Sequence, residues 1–254
     1  MVIELAMKEC LKIHLGNKGV LYMVYVMSDL HGCYDKYINM LEKINFKYDD
    51  TLYILGDVID RGDDGIKILS DMMRRHNIVP LLGNHEYMAY KVLSRLNVEI
   101  TEENYATQLD KNTMDILQDW IFNGGYNTQK EFTLLNYAKR RKLLEYIEEF
   151  SLYEIIEVNN QKYVLVHAEF DNSDEQKDFD EYDINDMLWT RCDYDKVYFD
   201  DMILITGHTP TFMVDKTYDG KILIKNNHIN VDCGAVYGKT QGCICLDTME
   251  EFYV

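Results

Sequence analysis

Five short stretches place Asp, Asn or His directly after an apolar, β-prone run. They are "SDLHG" with Asp29 and His31, "LGDVIDRG" with Asp57, Asp60 and Arg61, "LGNHE" with Asn84 and His85, "VLVHAE" with His167, and "LITGHT" with His208. In sheet-based α/β proteins, sites assemble at the carboxyl ends of strands. Carboxylate, amide and imidazole donors suit Mn2+, Fe or Zn2+, and no thiolate stands among them to demand a softer metal. A single His after a strand is ordinarily a surface or hydrogen-bonded residue, and a single Asp before a helix is ordinarily a cap. Five such strand ends in order, most with Gly beside them, point instead to one shared metal centre.

The elements that must position these residues are legible around them. "MVYVMSDLHG", "TLYILGD" and "IVPLLGNHE" read as strands running into loops. "YDKYINMLEKI", "DDGIKILSDMMRRH" and "EYMAYKVLSRL" read as the helices between and after them. This alternation predicts an α/β sheet. Residues 100–150 read as mostly helical, broken at "NGGYNT". Beyond them, "SLYEIIEV", "KYVLVHAE", "MILITGH", "KILIKNN", "HINVDCG" and "GCICLDT" predict a second, largely hairpin-built sheet packed on the first. The expected fold is therefore α/β: two mixed β-sheets packed as a central sandwich, flanked by helices. Residues 1–22 read as an extension outside the main fold, with a short amphipathic helix over 1–16. Residues 23–254 read as a single catalytic domain.

Composition narrows the partners. The 254 residues carry 26 Lys+Arg against 44 Asp+Glu, a formal net charge of −18. That argues against broad electrostatic binding to nucleic acid or to an anionic membrane. No apolar run is long enough to span a bilayer, and the broken N-terminal stretch does not resemble a signal peptide. The six cysteines are scattered without a CxxC pair and read as free thiols. A cytoplasmic location is the expectation.

The order "DLHG … GDVIDRG … GNHE … H … GH" resembles the calcineurin-like metallophosphoesterases. Within them it is similar to the phosphoprotein phosphatase branch, which includes bacterial and phage protein phosphatases and symmetrical dinucleoside tetraphosphatases. "LWTR" at 188–191 and "VDCGAVYG" at 231–238 resemble further elements of that branch. The resemblance runs from about residue 23 to the C-terminus. It implies two divalent ions, Mn2+ first, with Fe or Zn2+ as alternatives. Asp29 and His31 would bind one ion and Asp57 would bridge both. Asn84, His167 and His208 would bind the second. His85 would be the general acid, oriented by Asp60. Arg61 and Arg191 would hold phosphate oxygens, with Tyr237 beside them.

Physical chemistry supplies a reason for each role. Two ions about 3.5–4 Å apart provide a hydroxide near neutral pH, clamp phosphoryl oxygens and orient in-line attack. A carboxylate can bridge two ions where a neutral imidazole nitrogen cannot. A departing alkoxide needs a proton, and imidazole titrates in the right range. A carboxylate on the other ring nitrogen fixes the ring. Guanidinium forks match phosphate oxygens.

The implied reaction is hydrolysis of phosphomonoesters, first of phosphoserine and phosphothreonine in proteins or peptides. The alternative substrate is a dinucleoside polyphosphate, cleaved as by a symmetrical bis(5'-nucleosyl)-tetraphosphatase. A non-catalytic binding module of the same fold is disfavoured, because every ligand, the acid and both arginines are present.

Two positions depart from the branch: Ser28 stands where Gly is usual, and Glu169 follows His-Ala where Gly is common. Glu169 is expected to point to solvent and to open an acidic rim from 169 to 186 that favours basic phosphopeptides. Glu86 is expected to start a helix rather than bind metal. Cys243 and Cys245 are expected to pack in a strand.

Overall fold

A computed structural model of the chain describes residues 11–13, 22–98, 101–104, 110–170 and 181–254. The first half builds strand–helix units: β2 (Val24–Met27), α1 (Tyr34–Lys43), β3 (Thr51–Ile54), α2 (Gly65–Met72), β4 (Ile78–Pro80) and α3 (Asn84–Leu96). β2, β3 and β4 run parallel, so their carboxyl ends share one edge. β10 (Gly242–Cys245) pairs antiparallel with β2, and β11 (Glu251–Tyr253) pairs antiparallel with β10. The sequence expectation had assigned "GCICLDT" to the other sheet. Its true partner lies more than two hundred residues upstream, and local pattern carries no register for such a pair.

The second sheet has six strands in the order β1-β5-β6-β7-β9-β8. They are β1 (Leu11–Ile13), β5 (Tyr153–Val158), β6 (Gln161–Val166), β7 (Met202–Thr206), β8 (Leu223–Lys225) and β9 (His228–Asn230). Two of its connections are tight hairpins. Asn159 and Asn160 (φ 53° and 64°), and Asn226 and Asn227 (φ 52° and 54°), are left-handed pairs, as a two-residue turn matching strand twist requires. The sheet is nevertheless mixed rather than hairpin-built throughout: β6–β7 and β7–β9 are parallel.

β1 corrects a second expectation. Leu11–Ile13 is a strand, parallel to β5, where a helix over 1–16 was expected. The free edge of β5 offers unpaired backbone groups that such a segment satisfies. The rest of that expected helix lies outside the described residues.

Side-chain alternation explains the sandwich. Val24 and Val26 of β2 join Tyr53, Leu55, Ile156, Val158, Tyr163, Leu165, Ile205 and Ile244 in a core between the sheets. Their neighbours Tyr25, Met27, Leu52 and Ile54 face the other way, into a core shared with the helices. Both faces are covered, so these strands read as continuous apolar runs. Cys243 and Cys245 are buried on the helix side, as expected of packing residues.

A helical layer spans α4 (Lys111–Trp120), α5 (Tyr126–Leu134) and α6 (Tyr137–Glu148). α4 and α5 meet at a kink over Ile121–Gly125, with Gly124 at φ 106°. Two short helices, α7 (Ile184–Trp189) and α8 (Thr211–Val214), complete the second half. No helix among the described residues is long and apolar enough to cross a membrane.

Candidate active site

The loops after β2 and β3 are laced together by backbone bonds. Asp29 N donates to Gly56 O (3.1 Å), His31 N to Asp57 O (2.8 Å), Gly32 N to Val58 O (2.8 Å) and Gly62 N to His31 O (3.1 Å). This lacing holds an unusual backbone. Asp29, His31, Asp57, Asp60, Arg61 and His208 all lie at φ between 41° and 70°, a region L-residues visit at a cost of about 1–3 kcal/mol each. Strain at that density marks a site where side-chain direction outranks backbone comfort. Gly207 is required by close approach, since a Cβ there would collide with Ser28 Oγ and Asp29 Oδ2.

The side chains meet around Asp57. Its Oδ2 lies 3.5 Å from His31 Nε2 and its Oδ1 lies 3.5 Å from His167 Nε2. One carboxylate thus offers one oxygen to each of two ligand groups, the disposition a bridging residue needs. The ring nitrogens are oriented to match. His31 Nδ1 is tied to Ile59 O (2.9 Å) and His167 Nδ1 to Leu55 O (2.6 Å), which leaves both Nε2 atoms facing inward. His208 is reversed: its Nε2 is tied to Trp189 O at 3.1 Å, and Nδ1 is left to the site. Asn84 places its amide 3.1 Å from His167 Nε2. Asp29 Oδ1 stands 3.9 Å from His31 Nε2, while its Oδ2 accepts from His208 N (2.9 Å) and from Ser28 Oγ. Ser28 therefore fits the position and adds a donor.

Two sets of donors each close to within 4.8 Å: His31, Asp57 and His85, and Asp57, His167 and His208. The charge inventory fits cations there. Burial pushes the Asp29 and Asp57 carboxyls above the usual carboxylate range, Asp57 farther because Asp29 and Glu86 stand near it. Burial also pushes Asp232 up, and Asp29 adds to the shift. Burial lowers His31 and His167, and takes His208 to about 3. The buried Asp29 and Asp57 carboxyls beside neutral imidazoles form a donor set that divalent ions would satisfy.

His85 presents Nδ1 to Asp60 Oδ2 at 2.7 Å, as an orienting carboxylate should. Burial pushes Asp60 up to about 7. Arg61 reaches into the centre: Nη1 lies 2.6 Å from His31 Nε2 and Nη2 lies 3.0 Å from His85 Nε2. Its Cζ sits 5.8 Å from the Tyr237 ring centroid, so Tyr237 lines the same opening. Arg191 is solvent-exposed, and its charge acts on His208, on the rim of the second ligand set.

Glu169 corrects an expectation. It is buried rather than solvent-directed, its backbone is not left-handed, and its Oε1 accepts from Tyr198 OH at 2.6 Å. Nor does its carboxylate join either donor set. Of the expected acidic rim, residues 171–180 lie outside the described residues.

Three residues of the site escaped sequence reading. Glu86 does lie in the first turn of α3, as expected, yet its buried carboxylate also clamps the Asp57 loop. It accepts from the backbone N–H groups of Asp57 (2.8 Å), Val58 (2.8 Å), Ile59 (3.1 Å) and Gly83 (3.2 Å). Trp120 and Thr128 approach Asp60 from the helical layer. The only signal for Glu86 was its fixed place after His85; Trp120 and Thr128 had none. Glu86→Gln keeps the volume but replaces one acceptor oxygen with a donor facing N–H groups. It is expected to cost about 2–4 kcal/mol of stability and about 10–100-fold in metal affinity. Thermal denaturation and a Mn2+ titration measure both.

Comparison with known proteins places this geometry. The profile of the family described as "Calcineurin-like phosphoesterase" matches residues 22–234. Serine/threonine-protein phosphatase 2 of Salmonella typhimurium is 28% identical over 186 residues, covering 69% of this chain and 71% of that protein. A symmetrical bis(5'-nucleosyl)-tetraphosphatase of Wigglesworthia glossinidia brevipalpis is 32% identical over 123 residues, covering 47% of this chain and 42% of its own length. Among solved structures, a cold-active protein tyrosine phosphatase shares the fold with a TM-score of 0.58 at 17% identity, over 97% of this chain and 81% of that one. With this match, and with two groups of donors that could hold metal ions, the chain belongs to the calcineurin-like phosphoesterases, metal-dependent hydrolases of phosphoric esters.

Proposed function

We propose that the protein is a cytoplasmic, Mn2+-dependent phosphomonoesterase acting on phosphoserine and phosphothreonine in proteins. One observation carries the phosphoesterase chemistry: Asp57 offers an oxygen to each ligand set while His85, held by Asp60, stands beside Arg61. Asp29, His31 and Asp57 would hold one ion, and Asp57, Asn84, His167 and His208 the other. When bound, the ions supply a nucleophile at neutral pH and charge neutralisation for the phosphoryl group. The chain's own residues do the rest. Arg61 and Arg191 grip phosphoryl oxygens as donor forks. His85 delivers a proton to the departing oxygen, and Asp60 holds the ring so that Nε2 faces that oxygen.

The protein substrate is supported by the Salmonella phosphatase, whose match covers more of this chain than the tetraphosphatase match does. Hydrolysis of a dinucleoside tetraphosphate is the second reading, supported by that other relative. We take the first reading to be favoured by the exposed Glu181 and Asp183, in the described part of the acidic run, since carboxylates beside the site would repel a polyphosphate and tolerate flanking Lys or Arg.

The test uses chelated, reloaded protein. Activity is expected to vanish on chelation and to return best with Mn2+, at two ions per chain by elemental analysis. On reloaded enzyme, kcat/KM for basic phosphoserine or phosphothreonine peptides is expected to exceed that for diadenosine tetraphosphate. The preference for basic flanks should fade with salt, which screens exposed charges. Faster cleavage of the dinucleotide, with salt-insensitive peptide rates, would replace this reading with the second.

A further inference from the structure

The segment from Trp120 to Thr128 supplies no ligand and no charge to the centre, yet it grips the turn from Asp60 to Asp63 at both ends. The Trp120 indole is fully buried and its Nε1 donates to Asp60 Oδ2 at 2.7 Å. That oxygen is the one facing His85 Nδ1. Thr128 Oγ1 accepts from Asp60 N at 2.9 Å. The next contacts go to Arg61 and Gly62 instead. Gly124 O accepts from Arg61 N at 3.0 Å. Asn127 Nδ2 donates to Arg61 O (3.2 Å), Gly62 O (3.3 Å) and Asp63 Oδ1 (2.9 Å).

The kink exists to make these contacts possible. Gly124 turns at φ 106°, and a Cβ there would stand 2.8 Å from Arg61 Cγ. A Cβ at Gly125 would stand 2.5 Å from the Trp120 ring. Gly124 therefore clears the space taken by Arg61, and Gly125 the space taken by the Trp120 ring that reaches Asp60. Asp60 and Arg61 are consecutive and both left-handed (φ 70° and 64°), so their side chains diverge, Asp60 toward His85 and Arg61 across the centre. Such a turn persists only when its surroundings over-determine it.

We infer that the kinked segment is a positioning element with two separable outputs: Trp120 and Thr128 set the proton donor His85 through Asp60, while Gly124 and Asn127 set how Arg61 meets phosphate. The inference rests on the phosphoesterase reading and assigns it residues that touch neither substrate nor ion.

The experiment uses full-length, Mn2+-loaded protein and three readouts: kcat on a phosphoserine peptide, kcat on p-nitrophenyl phosphate, and competitive inhibition by inorganic phosphate. Trp120→Phe is expected to slow the peptide about tenfold, as loss of an orienting partner does. It should leave p-nitrophenyl phosphate within about twofold, since a good leaving group needs little proton donation. Its inhibition constant for phosphate should not move. Asn127→Ala is expected to do the reverse: about two- to tenfold weaker phosphate inhibition, with the ratio of the two kcat values unchanged. Thr128→Ser keeps the hydroxyl acceptor and should match wild type. If Trp120→Phe does not fold, Thr128→Val carries the same test with a smaller leaving-group effect.

Equal loss on both substrates by both variants, or no change in either, would overturn the inference and leave the segment a scaffold. The underlying reading fails differently: wild-type protein hydrolyses neither ester, while calorimetry still shows Asn127→Ala weakening phosphate binding.

Discussion

Asp57→Asn is expected to lower kcat on every phosphomonoester by about 10³-fold or more, the rate equivalent of the several kcal/mol that metal clamping supplies. No other single ligand change should cost as much. The reason lies in the two 3.5 Å approaches, one from each Asp57 oxygen to a histidine of a different ligand set. Asparagine keeps one oxygen and turns a donor toward the other set, so one ion loses its shared ligand and the pair loses a negative charge. Oδ1 also accepts from His85 N at 3.2 Å, an acceptor that the asparagine carbonyl can keep, so the fold at the start of α3 should hold. Elemental analysis should find two ions on wild-type protein and one or none on the variant. A variant that keeps both ions and wild-type kcat would remove Asp57 from the bridging role.

The second large effect concerns His85. His85→Asn is expected to slow alkyl phosphates, phosphoserine among them, by about 10²–10⁴-fold, the usual share of a positioned proton donor. On p-nitrophenyl phosphate the loss should be far smaller, because nitrophenolate departs without a proton. A plot of rate against leaving-group pKa should therefore steepen in the variant. Asp60→Asn should steepen it less, since the 2.7 Å contact to His85 Nδ1 orients the ring but does not itself donate to substrate. Equal impairment on both ester classes would assign His85 to ion binding, a role its place beside His31 and Asp57 also permits.

The candidate ligands were legible because each is written locally. A strand ends, often with a small residue beside it, and Asp, Asn or His follows; each stretch is read locally, and their recurrence in order is what pointed to one centre. The sheet alternation of Val24, Tyr25, Val26 and Met27 was equally local. What escaped depends on distance along the chain. Trp120 meets Asp60 across 60 residues, and Tyr198 draws Glu169 inward across 29. β10 finds β2 across the whole molecule, and Leu11–Ile13 takes an edge that exists only once β5 has formed. Glu86 was half-read: its position in a helix is a local property, while its four backbone donors belong to two different loops.

The distribution of the candidate ligands between the sheets has a consequence for how the site is made. Asp29, His31 and Asp57 all follow strands of the five-stranded sheet and lie within the first 57 residues, with His85 close behind. His167 and His208 follow strands of the six-stranded sheet. A chain emerging from the ribosome thus presents Asp29, His31, Asp57 and Asn84 while His167 and His208 are still unsynthesised. The donor group of Asp57, His167 and His208 is therefore complete only once the two sheets have docked.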